Sequence, residues 1–136
     1  MGRRHQAREL ALKVLFELES DPKDPGQALH YRFAEEAVDP EVARFAEELV
    51  LGVMEHGSEL DDMIASASKN WPLDQMAKVD RIILRIAAYE IAVSRNVPVR
   101  AAINESIELA RTFSGEEAAR FVNGVLGKIA AAGSPS

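Results

Sequence analysis

Between residues 78 and 90 the chain reads Lys78-Val79-Asp80-Arg81-Ile82-Ile83-Leu84-Arg85-Ile86-Ala87-Ala88-Tyr89-Glu90. Extended to about 75–94, this is the most apolar segment of the protein, taking in Met76, Ile91 and Ala92. Its apolar residues occupy more than one face of a helix, so the segment is predicted to lie in the middle of the fold. Downstream, Pro98 opens a helix over about 98–113. Ser114-Gly115-Glu116-Glu117 has the S-x-x-E form of a capping box and is read as the start of a last helix, about 115–131. Phe121, Val122, Val125, Leu126 and Ile129 form its apolar stripe, and Gly133-Ser134-Pro135-Ser136 reads as a frayed tail.

Upstream, Asn70-Trp71-Pro72 ends a helix that Ser58 and Asp61 are expected to open as another capping box. Asp39-Pro40-Glu41 begins the helix before it, with Asp39 as cap and Pro40 at a position where no amide donor is needed. That helix runs to near Gly57, and a short one is placed at about 26–36. Ala7, Leu10, Ala11, Val14, Leu15 and Leu18 then fall at helical spacing on a first helix, about 4–19. No run alternates as a half-buried strand does. The prediction is an all-α protein of about seven helices with a waist at residues 69–74.

Of the 136 residues, 47% are apolar and 28% charged, a globular balance that suits one domain. The net charge of −6 argues at first against a nucleic-acid partner, but the charges are segregated. Residues 1–13 hold four bases against one acid, 14–68 three against fourteen, and 69–136 nine against seven. Both ends are therefore basic and the middle acidic. No cysteine is present, which excludes disulfides, thiolate metal sites and cysteine nucleophiles. No stretch approaches the ~20 apolar residues of a membrane span. The basic start is followed by Glu9, Lys13 and Glu17 rather than by an unbroken apolar run, so it is no signal peptide, and the protein reads as cytoplasmic.

Little in the chain announces catalysis. His5, His30 and His56 have no metal-ligand spacing, and no phosphate-binding glycine loop or nucleophile elbow occurs. Asp61-Asp62 and Glu116-Glu117 are paired acids, but adjacent helical residues diverge by about 100° and cannot converge on one reacting atom. The bases are more telling. Arg3, Arg4, Arg8 and Lys13 crowd a helix start, where cations oppose the macrodipole, so something besides helix stability accounts for them. Arg4 and Arg8 stand one turn apart and are expected to project from one side. Lys69, Lys78, Arg81 and Arg85 form a second set, and Arg111, Arg120 and Lys128 a third, interleaved with Phe113 and Phe121. Arginines alternating with aromatics suit single-stranded nucleic acid, although Phe121 also fits the buried stripe.

Four stretches carry a family resemblance: Arg8-Glu9-Leu10-Ala11-Leu12-Lys13-Val14-Leu15-Phe16, the central run 78–90 with Val97-Pro98, Ala102-Ile103-Asn104-Glu105-Ser106-Ile107-Glu108-Leu109-Ala110, and Phe121-Val122-Asn123-Gly124-Val125-Leu126-Gly127-Lys128. In order and spacing the chain resembles the NusB family of transcription antitermination factors over about residues 4–131. The resemblance implies two small packed helical bundles, about 4–68 and 75–131 within a single domain spanning 1–136, with no catalytic activity and no cofactor. It implies binding to boxA single-stranded RNA together with NusE, a ribosomal small-subunit protein, within an RNA polymerase antitermination complex acting chiefly in rRNA operons. On the family pattern Arg3, Arg4, Arg8, Lys78, Arg81, Phe121 and Asn123 meet RNA, and Asp80 and Glu117 meet NusE. Two departures stand out: His5 and Gln6 interrupt the arginine cluster, and Gly127 replaces a residue often acidic in the family. A related domain precedes RNA cytosine methyltransferases, but the chain reads as the standalone factor. A homodimer that hides the basic amino terminus is a further expectation. The alternative is a protein-only helical adaptor with its RNA surface masked or lost.

Overall fold

The computed structural model describes residues 2–133 and contains seven α-helices and no strand among them. They are α1 (Arg3–Ser20), α2 (Pro25–Glu36), α3 (Pro40–Glu55), α4 (Gly57–Ala67), α5 (Lys78–Ala88), α6 (Val99–Ser114) and α7 (Glu116–Ala132). The all-α expectation thus holds. The part of the expected tail at 134–136 lies outside the described residues. No helix among the described residues is long and apolar enough to cross a membrane.

The chain divides into two compact units, Met1–Glu55 and His56–Ser136. In the first unit α1 packs chiefly on α3, with α2 against both. Ala7 and Leu10 meet Val42 and Ala46 there, flanked by Phe33, Val38 and Phe45. The caps follow local chemistry. Asp24 accepts from the Gln27 amide at 3.0 Å, and Asp39 accepts from the Glu41 amide at 2.9 Å.

In the second unit α5 is central, touching α4, α6 and α7. Six of its residues, from Ile82 to Ala88, are buried on more than one face of the helix, as its sequence predicts. The division differs from the predicted waist, because α4 belongs with the second unit. Leu60, Ile64 and Ala67 bury its apolar face, and Arg85 of α5 grips Asp61 of α4 in a bidentate ion pair of 2.7 and 3.1 Å. Neither capping box forms. Ser58 already lies inside α4, and His56 reaches the Glu59 carboxylate through Nδ1 at 2.9 Å. Ser114 is still helical, and Gly115 alone separates α6 from α7 at φ 103°, ψ 177°. That backbone region is essentially restricted to glycine.

The single helix expected at 75–94 is also revised. A 3-10 turn, Leu73–Gln75, precedes α5, and a π-helical segment, Tyr89–Ser94, continues it. The π turn closes with the Arg95 amide donating to the Glu90 carbonyl at 3.1 Å, and Arg95 takes a left-handed conformation. Such wide turns recur at functional sites in helices.

Candidate nucleic-acid interface

In the first unit the arginine cluster is set by α1 and α3. With no acid in its first turn, α1 places Arg3 and Arg4 where the helix dipole is positive. Arg3 is compensated from α3: its Nη1 lies 2.6 Å from Glu41 Oε2, with both side chains exposed. The hydrogen bond to Glu41, reinforced by the charge of Asp39, raises the guanidinium pKa above its ordinary value. Arg4 is exposed and lies over the Phe45 ring, its Cζ 4.7 Å from the centroid. That distance is within reach of a cation–π contact.

Arg8 corrects the sequence reading. It shares the side of Arg4, with Cζ 5.4 Å from the same ring, but it is only 2% exposed. The residue packs beside the core stripe and has no surface to offer RNA in this fold. Lys13 is also compensated, lying 3.7 Å from Glu9. A cleft of about 730 Å³ opens over this region, lined by Gly2, Arg3, Arg4, Glu41, Arg44, Phe45 and Glu48. Arg44 and Phe45 were not singled out from sequence. Their signal is weak there, since only folding brings α3 beside α1.

In the second unit Lys78 begins α5 and is half-buried. Arg81, also half-buried, donates from Nη1 to the Leu73 carbonyl at 3.2 Å, which ties it to the preceding 3-10 turn. Asp80 sits in the first turn of α5. Its Oδ1 is buried with no hydrogen-bond partner among the described residues. On α7 Glu117 and Asn123 are exposed, and Phe121 is half-buried, between the two roles its position allowed. Glu116, Arg120, Asn123 and Gly127 follow one another at helical spacing along the exposed side of α7. Arg111, by contrast, is held by Glu108 and Glu116, the latter at 2.8 Å. Phe113 is exposed. The α5 and α7 residues thus stand on helices that pack together within one unit.

Comparisons with known proteins agree with this architecture. The model of the NusB family matches residues 5–131. The transcription antitermination protein NusB of Bacillus subtilis is 46% identical over 127 residues, covering 93% of this chain and 94% of the relative. A solved structure of NusB from T. maritima superposes with a TM-score of 0.87 at 32% identity, over 99% of this chain and 94% of that one. A crystal structure of antitermination factors NusB and NusE in complex with dsRNA matches with a TM-score of 0.88 at 26% identity, covering 97% and 98% of the two chains. The chain belongs to the NusB family of transcription antitermination factors, which are RNA-binding proteins and not enzymes.

Proposed function

We propose that this protein binds boxA-containing single-stranded RNA together with NusE, in the cytoplasm, and so promotes read-through by RNA polymerase, chiefly in rRNA operons. The observation that carries the reading is the exposed Arg4 guanidinium held on the Phe45 ring beside Arg3 and Arg44. An arginine so placed offers a flat fork of donors to phosphate oxygens. The related NusB solved with NusE and double-stranded RNA supports both partners. On this reading Arg3 and Arg4 serve RNA from the first unit, while Lys78, Arg81, Phe121 and Asn123 serve it from the second. Phosphates position the strand, and the Phe121 ring and Asn123 amide touch bases. Arg8 holds the platform from beneath. Asp80 and Glu117 face NusE, Glu117 with an exposed carboxylate in the first turn of α7. The acidic block of residues 14–68 disfavours indiscriminate RNA binding.

Crosslinking mass spectrometry on the protein mixed with boxA RNA and NusE tests the assignment. RNA adducts are expected near Arg4 in the first unit and near Asn123 in the second, with NusE crosslinks near Asp80 and Glu117. NusE crosslinks without any RNA adduct would favour the protein-only adaptor instead. Light scattering with and without RNA tests masking by a homodimer. A dimer unchanged at saturating RNA would count against it.

A further inference from the structure

We propose that Arg44, in α3, is a further RNA-binding residue. It acts with Arg4 as a pair of guanidinium groups on one stretch of RNA backbone, and Phe45 positions Arg4. The proposal rests on the RNA reading above and adds residues that the amino-terminal cluster does not contain. Arg44 is the single base of α3, a helix that carries Glu41, Glu47, Glu48 and Glu55. Glu48 lies one turn away, where a helical ion pair would form. Yet no carboxylate pairs with Arg44 among the described residues, and its side chain is exposed in the cleft that Arg3 and Arg4 also line.

The other arginines of this cluster are compensated or covered in the free protein. Arg3 is bonded to Glu41, and Arg8 is buried. That leaves Arg4 and Arg44 as the cleft's two exposed arginines with no acid on them. Glu41 also lines the cleft but is itself neutralised by Arg3. Two uncompensated guanidinium groups in one concave site fit successive phosphates of a single strand. The Phe45 ring restricts Arg4 before the ligand arrives, which lowers the ordering cost of binding.

Binding of a boxA-containing single-stranded RNA to the full chain with NusE present, followed by fluorescence anisotropy between about 0.05 and 0.2 M salt, tests the proposal. Arg44→Ala and Arg4→Ala are each expected to weaken binding about fivefold. Each should also reduce the steepness of the log–log salt dependence by about 0.7, the loss of one phosphate contact. Arg44→Lys keeps the slope. Phe45→Leu weakens RNA binding by less than Arg4→Ala does and shrinks the added effect of Arg4→Ala, whereas Phe45→Tyr, which keeps the ring face, leaves both at the wild-type level. If Arg4→Ala weakens binding while Arg44→Ala leaves affinity and slope unchanged, the Arg44 assignment is overturned and the RNA reading stands. If Arg44→Ala reduces capture of NusE in the absence of RNA, Arg44 serves a protein carboxylate and the assignment is likewise overturned. A wild-type protein that binds no RNA overturns both.

Discussion

Two pairs of arginines one turn apart behave differently. On α1, Arg4 and Arg8 share the Phe45 ring, but one is exposed and the other is 2% exposed. On α5, Arg81 and Arg85 are both half-buried and both tied to oxygen, Arg81 to the Leu73 carbonyl and Arg85 to the Asp61 carboxylate. Helical spacing puts each pair on one side of its helix. It does not say which guanidinium is exposed, because the partners lie outside the helix and several come from far along the chain. Glu41 is 38 residues from Arg3, and Asp61 is 24 from Arg85. Availability is a tertiary property, and in the first unit it separates a buried arginine from an exposed one.

The sharpest way to break this comparison is to truncate the α1 pair. Arg8→Ala should destabilise the protein by about 2–4 kcal/mol in chemical denaturation, since it removes a long buried side chain packed on a ring. Arg4→Ala should cost less than about 1 kcal/mol, the size of an exposed cation–π contact, and should weaken RNA binding instead. Equal losses of stability for both would erase the distinction. The α5 pair supplies the next effect. Arg85→Ala leaves Asp61 unpaired, but side-chain exposures of 23% and 36% allow water to compensate, so a loss of about 1 kcal/mol is expected.

The smallest effect is the pH dependence of the surface ion pairs in the two units. Hydrogen bonds from Lys23 and then Arg32 hold the Glu17 carboxyl below its ordinary range, and a hydrogen bond from Arg111 does the same for Glu116. A carboxyl depressed in the folded state binds fewer protons there than in the unfolded chain. Its contribution is therefore complete above the ordinary carboxylate range and disappears as the pH falls through the lowered folded value. Glu17→Gln should flatten the acid limb of a stability–pH curve only slightly, because the Glu17 side chain keeps 34% of its surface exposed and water screens the pair. A large flattening would mean that the pair carries more of the first unit than its exposure suggests.

Much of the fold was legible because periodicity and chain breakers are local signals. Pro25, Pro40 and Pro98 stand at or beside helix starts, and the apolar stripe of α1 is buried as read, whereas Phe121 in the α7 stripe is only half-buried. The two capping boxes failed because such a box requires its serine outside the helix. Ser58 lies within α4, and Ser114 remains in α6 until Gly115 breaks it. The burial of Arg8 had a sequence signal that the narrow stripe overlooked. Leu12 and Leu15 lie one and two turns beyond Arg8 and are buried too, so the apolar face of α1 is wider than one stripe. The π turn at Tyr89–Ser94 had none, since its composition suits an α-helix as well. Arg44 was hidden for the opposite reason: it belongs to an acidic block, and only the packing of α3 on α1 lifts it out of that average.

The most direct test of the account is the salt dependence of RNA affinity for the wild-type protein with NusE. If three to four phosphates are neutralised by this net-acidic chain, log affinity against log salt should fall with a slope of about −2 to −3. A slope near zero, with affinity unchanged across the titration, would contradict it.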